Sequence, residues 1–234
     1  MLQAATIKFL KDLKKNNNKS WFEKNKQVYL DAKEDIENFT QLVIDGLGKI
    51  DADIAPLQPR DCLFRIYRDV RFSKDKTPYK TNMGASFNRG GKKVPTAGYY
   101  FHCEPGQSMA GGGLWMPMAP QLGKVRQEID YSFDEWKKII GQRNFKKYFP
   151  DNVEGIEILS RPPKGYDDQN PAIEFLKMKS YIVSRPLTDA ELQSKTLLKE
   201  VLKTFEAMKE FIGFLNRSME TDEGGSSSQW KKTL

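Results

Sequence analysis

The sequence predicts an α+β fold, a central antiparallel or mixed sheet flanked by helices, and three observations carry that prediction. Apolar residues recur every three, four or seven positions near both ends of the chain, which marks long N-terminal and C-terminal amphipathic helices. Between residues 60 and 115 the period falls to two, as in strands with one buried face. Short turn-forming clusters join these strands, which favours antiparallel neighbours. Neither an internal repeat nor an interdomain linker is apparent, so residues 1–218 are expected to form one domain. Residues 219–234, with Gly-Gly-Ser-Ser-Ser among them, are expected to be a disordered tail because they cannot bury enough apolar surface.

In chain order, Ile7, Phe9, Leu10 and Leu13 predict a short helix that the asparagines at 16, 17 and 18 end. Ser20-Trp-Phe-Glu23 reads as a capping box opening a long helix with Trp21, Val28, Ala32, Ile36, Phe39, Val43 and Leu47 on one face. Pro56 and Pro59 break the helical period. Residues 62–72 then read as a strand, with Cys62, Phe64, Ile66, Val70 and Phe72 on a buried face with Arg68, and Leu63, Arg65, Tyr67, Asp69 and Arg71 on a polar one. Residues 73–78 have turn composition, and residues 83–87 form a short strand before the Asn88-Arg-Gly-Gly91 turn. Residues 97–104 alternate, with Tyr99, Phe101 and Cys103 on one side and Tyr100, His102 and Glu104 on the other. Residues 108–115 return as a glycine-rich strand.

Helices follow the sheet. Pro120 begins one with Leu122, Val125 and Ile129 inward, and Ser132-Phe-Asp-Glu135 is a second capping box. Residues 150–170 read mostly as loop with a strand at 156–159, residues 170–171 start a short helix, and residues 181–184 form another strand. Thr188-Asp-Ala-Glu191 caps a long last helix with Leu198, Val201, Leu202, Phe205, Met208, Ile212 and Leu215 inward.

With 38% hydrophobic and 29% charged residues the composition is that of a globular protein, and no apolar run is long enough for a membrane span. The polar N-terminus lacks a signal-peptide core, so a cytoplasmic location without membrane association is expected. Cys62 and Cys103 form neither a disulfide framework nor a zinc pattern and are expected to be buried thiols.

The formal net charge of +7 sits in one stretch. Residues 60–93 hold ten Lys or Arg against three Asp, whereas the flanking regions each balance to zero. Arginine offers a bidentate fork and lysine a mobile point charge, the two donor types that suit a phosphate or carboxylate. Arg65, Arg68, Arg71, Ser73, Lys74, Lys76, Tyr79 and Lys80 are therefore the candidate anion-binding residues. His102 is the only histidine, and its strand-face neighbour Glu104 could orient it as a general base, so His102, Glu104 and Asp69 are the candidate catalytic groups. They lack the second histidine or Cys/His spacing that would mark a metal site, so no metal is expected, and Gly111-Gly-Gly113 lacks the lysine of a phosphate loop; which cofactor the chain uses, if any, is unknown from the sequence. Three readings stay open: an enzyme acting on a small phosphorylated or carboxylated substrate, a nucleic-acid-binding module with Tyr79, Tyr99 or Tyr100 stacking on bases, and a purely structural charge network.

Asn16-Asn17 with Ser20-Trp21-Phe22, the block Phe64-Arg-Ile-Tyr-Arg-Asp-Val-Arg-Phe-Ser-Lys-Asp-Lys-Thr-Pro-Tyr-Lys80, Gly98-Tyr-Tyr-Phe-His-Cys-Glu-Pro-Gly106, Gly112-Gly-Leu-Trp-Met-Pro117 and Pro163-Lys-Gly165 follow one another along the chain. In these motifs, from about residue 5 to residue 215, the chain resembles the uncharacterised family called domain of unknown function 2461. One departure is Asp168-Gln-Asn-Pro171, where the family pattern leads one to expect a histidine before the proline; no second catalytic histidine is expected here. The resemblance implies that the Arg-Asp-x-Arg-Phe-Ser-Lys-Asp-Lys block is the defining motif and brings no established activity.

Overall fold

The computed structural model describes residues 1–220. The N-terminal helix forms as α1 (Ala4–Lys15), with Ile7, Phe9, Leu10 and Leu13 buried. The helix after it starts and breaks elsewhere than expected. Asn18, not Ser20, caps α2 (Lys19–Lys24) by accepting from the Trp21 amide. Asn25 then interrupts the helix by donating its side-chain amide to the Trp21 carbonyl, a local bond that competes with the helical ladder. The chain continues as α3 (Lys26–Leu47), whose Ala32, Ile36, Phe39, Val43 and Leu47 are buried while Val28 is exposed.

The predicted strand over 62–72 is replaced by two other structures. Pro59 at the first helical position, with the Asp61 carboxylate accepting from the Gln58 amide, winds a single turn, α4 (Pro59–Cys62). Beyond it, residues 64–82 leave the sheet as a two-limbed arm. Its backbone ties to the sheet edge, among the described residues, are the pairing of Leu63 with Ala85 and the Phe64 amide bond to the Gly84 carbonyl. Its limbs pair with each other instead, through Tyr67 opposite Tyr79, the Lys80 amide on the Ile66 carbonyl and the Arg68 amide on the Pro78 carbonyl. Phe64 and Phe72, expected to be buried, are exposed because the limbs pair with each other and not into the sheet.

The sheet is antiparallel and takes its strands in order: β1 (Met83–Asn88), β2 (Gly98–Cys103), β3 (Ser108–Leu114) and β4 (Tyr181–Leu187). Gly90 and Gly91 take positive φ in the β1–β2 turn, where a residue with a Cβ would be strained. Between β3 and β4 run α5 (Ala119–Tyr131), α6 (Phe133–Gly141), α7 (Arg143–Tyr148) and α8 (Ile173–Leu176). The Ser132 capping box does not form; its hydroxyl donates to Glu128. In place of a strand at 156–159 there are two isolated pairings, Glu154 with Ile182 on the outer edge of β4 and Ile158 with Met178 just before that strand.

The Thr188 capping box forms, yet the long helix it was expected to open is divided into α9 (Asp189–Leu192), α10 (Leu197–Ala207) and α11 (Lys209–Glu220). Ser194 and Thr196 cause the first interruption by bonding each other and, from Ser194, the Thr196 amide. Residues 219 and 220 close α11, and the rest of the expected tail, 221–234, lies outside the described residues.

Helices α3, α10 and α11 pack on one face of the sheet. Phe39 meets Phe101 at 4.9 Å between ring centroids, and Phe205 meets Phe87 and Tyr99. Each such burial contributes roughly 1.5–3 kcal/mol. Cys62 and Cys103 are free and buried in this layer, and burial pushes both thiols up to about 12, which leaves them inert at neutral pH. The opposite face of the sheet carries Ser86, Tyr100, His102, Met109 and Ser184, all partly exposed. Among the described residues no helix is long and apolar enough to cross a membrane.

Candidate functional site

Alternation along β2 sends Tyr99, Phe101 and Cys103 into the helix-covered core and leaves Tyr100 and His102 on the open face. Residues two apart there come within hydrogen-bond reach. The Tyr100 hydroxyl lies 3.0 Å from His102 Nδ1, and His102 Nε2 lies 3.2 Å from Glu104 Oε2. The other carboxylate oxygen, Glu104 Oε1, accepts from the Thr81 hydroxyl at 2.8 Å and faces Lys14 Nζ at 3.6 Å. Burial alone would raise the Glu104 carboxyl, but the bonds from Thr81 and His102 and the nearby positive charge outweigh it and hold the group below the usual range. An ionised Glu104 only accepts, so His102 Nε2 carries a proton toward it, and in the neutral ring Nδ1 is then the acceptor that faces the Tyr100 hydroxyl. The Tyr100 phenol is raised, by burial first and by the Glu104 charge second, and stays protonated at neutral pH.

Two neighbours fix the Tyr100 ring. Gly84, opposite His102 on β1, leaves room for it: a Cβ there would stand 2.6 Å from the Tyr100 hydroxyl. Phe64 meets the ring edge to face at 6.3 Å. Lys80 Nζ lies over Phe64, 5.3 Å from its centroid, and burial first, then the charge of Arg65, lowers its pKa. Lys80 has no carboxylate partner among the described residues. Gly84→Ala is accordingly expected to push the Tyr100 hydroxyl off His102 with little loss of stability, since the obstructing atom ends a side chain. The imidazole proton signals of the sole histidine should then change, and an unchanged spectrum would contradict this geometry.

The arm brings its own charges together. Arg68 reaches Asp75 and Thr77 with one guanidinium nitrogen and Ser73, at 3.5 Å, with the other. Arg71 grips Asp69 through Nε at 2.9 Å and Nη2 at 2.6 Å, and Lys76 donates to the Val70 carbonyl at 3.0 Å. Asp69 thus belongs to the arm and not to the His102–Glu104 group. Lys74 is exposed and has no partner among the described residues. Tyr79 is buried, with its ring stacked on Phe22 at 3.9 Å and its backbone held by the Asn17 side chain, which donates to the carbonyl and accepts from the amide. Tyr99 is likewise buried and bonded to Asp51. Neither tyrosine is free to stack on a base.

Asp75 holds the arm's turn closed. The Thr77 amide, Arg68 and the Thr77 hydroxyl bond its carboxylate and lower its pKa from 3.8 to about 2. A depressed folded-state pKa means that the stabilising effect is complete above the ordinary value and is lost as the pH falls through the lower one. The Thr77 amide signal is expected to titrate with a midpoint near 2. A midpoint near the ordinary carboxylate value would show that the turn is not held this way.

The order of these parts along the chain decides its relatives. A model of the family described as conserved hypothetical protein, DUF2461, matches residues 5–214. The chain belongs to the DUF2461 family. No curated protein and no solved structure matches it. Within this DUF2461 chain the Asn16-Asn17 and Ser20-Trp-Phe motifs serve the arm, because Asn17 and Phe22 clamp Tyr79. The Gly-Tyr-Tyr-Phe-His-Cys-Glu motif is β2 with its hydrogen-bonded line. The sequence groups Tyr100 with His102 and Glu104 by face and offers it for base stacking, not as a catalytic group. The available signal was three polar groups in period two on an otherwise apolar strand. Lys14 and Thr81 carried no local signal, since they meet Glu104 only through the fold.

Proposed function

We propose that this protein is an enzyme acting on a small phosphorylated or carboxylated substrate at the open face of the sheet, with Tyr100 as the group that meets it. The observation that carries the proposal is the line Tyr100–His102–Glu104, a hydroxyl, an imidazole and a carboxylate joined end to end at 3.0 and 3.2 Å. A hydroxyl bonded to a base that a third group orients is the general arrangement for an activated hydroxyl. The raised phenol means that no free phenolate waits in the resting site. As Tyr100 Oη takes a proton from the substrate, its own proton passes to His102 Nδ1, and Glu104 stabilises the resulting imidazolium. Lys80, desolvated and without a carboxylate partner among the described residues, supplies the charge that an anionic substrate would meet, and Arg65 adds to the positive field there.

A nucleic-acid contact by the arm is the second reading, supported by Phe72, which is 95% exposed beside Arg71 and Lys74. Its weakness is charge: Asp69 and Asp75 neutralise Arg71 and Arg68 within the arm itself.

One titration separates the readings. Because His102 is the only histidine, its ring protons report the site without ambiguity. Phosphomonoesters and small hydroxycarboxylates should shift those signals saturably, and at least one should be turned over by the wild type and not by His102→Asn. Single-stranded DNA that shifts Phe72 and leaves His102 unmoved, with no small anion acting at His102, would replace the enzymatic reading with the second one.

A further inference from the structure

A cavity lies between α3, the arm and the start of β1, with a volume of about 300 Å³. Ile36 from α3, Ile66 and Tyr67 from the arm, and Met83 from β1 give it apolar walls. Met83 pairs with Cys103 and so faces the helix side, whereas its neighbour Gly84 faces Tyr100 and His102. The cavity is therefore separate from the hydrogen-bonded line, with the Phe64 segment between them.

Its charges are unequal. Lys33 and Glu37 line it and cancel, paired at 2.8 Å. Arg60 and Arg65 line it as well, and neither has a carboxylate partner among the described residues. The acids closest to them in sequence are engaged elsewhere: Asp61 accepts from the Gln58 amide, and Asp69 is held by Arg71. Two guanidinium groups with no carboxylate bonded to them among the described residues, beside an apolar hollow, suit a ligand with an apolar ring and one anionic group, since arginine both forks onto an oxyanion and stacks on a ring.

We propose that this cavity binds a planar apolar anion, an aromatic carboxylate or sulfonate, with Arg60 and Arg65 holding the anionic group and Ile36, Ile66 and Met83 meeting the ring. The site is distinct from the Tyr100–His102–Glu104 line, to which neither arginine and none of these walls belongs; only Arg65 is shared with the catalytic reading, through its field at Lys80.

The test uses naphthalene-2-sulfonate as the probe and 2-naphthol as its uncharged counterpart, with the full chain labelled at isoleucine and methionine methyl groups. The sulfonate should shift the Ile36, Ile66 and Met83 methyl signals saturably and bind more tightly than the naphthol. In the Arg60→Gln, Arg65→Gln double variant its affinity should fall about tenfold or more, the loss expected for two charge-assisted bonds. Both arginines are exposed, so the ligand-free spectrum should be preserved. Absent shifts, shifts only at other methyl groups, or equal affinity in the double variant would overturn the proposal. If the double variant is misfolded, equal binding of sulfonate and naphthol to the wild type overturns it instead.

Discussion

Tyr100→Phe is expected to lower turnover by about 10²–10⁴-fold, the range for removing a positioned proton-transfer group, while the protein unfolds at nearly the wild-type temperature. The substitution deletes one oxygen and keeps the ring that meets Phe64 edge to face and lies over Gly84. His102→Asn should give a loss of similar size. Combining the two should cost little more than either, because the hydroxyl and imidazole act as one unit. Rates measured on whichever phosphorylated or carboxylated compound the wild type consumes would check this. A Tyr100→Phe variant with full activity would remove the phenol from the mechanism.

Phe22→Ala is expected to have the largest effect on stability. Phe22 is fully buried, stacks on Tyr79 at 3.9 Å and also meets Phe9, Tyr29 and Tyr67, so it joins the first helices to both limbs of the arm. Truncating a buried phenylalanine costs roughly 3–5 kcal/mol. For a chain of this size that lowers the melting temperature on the order of 10 °C. The fully exposed Phe72 is the control, and Phe72→Ala should shift stability by no more than about 0.5 kcal/mol. Thermal unfolding followed by circular dichroism compares them directly. Equal melting temperatures for the two variants would mean that Phe22 does not dock the arm.

The parts of the fold legible in the sequence were those where local pattern and tertiary environment agree. Tyr99, Phe101 and Cys103 alternate with Tyr100 and His102 because β2 has one covered and one open face, and that face assignment is what places His102 beside Glu104. The arm escapes the sequence pattern because alternation reports which side chains are apolar, not which backbone they pair with. Residues 62–72 alternate as a strand does, yet contacts distant along the chain decide their course: Asn17 on Tyr79, Phe22 against Tyr67 and Tyr79, and Arg68 across the turn to Asp75. Helix ends failed where two residues competed for one role, as Asn18 did with Ser20. The positive stretch is visible as a sum of charges, whereas its division into internally paired groups and Lys74, Lys80, Arg60 and Arg65, which have no salt-bridge partner among the described residues, depends on how the arm closes.

The two margins of the sheet have a consequence for self-association. A bare outer strand presents unpaired amides and carbonyls that another copy can extend. Here Leu63 and Phe64 occupy part of the β1 margin, and on the β4 margin Glu154 exchanges both backbone bonds with Ile182. The root of the arm is thus also a guard: any change that frees it uncovers a template for strand-to-strand growth alongside its effect on the site.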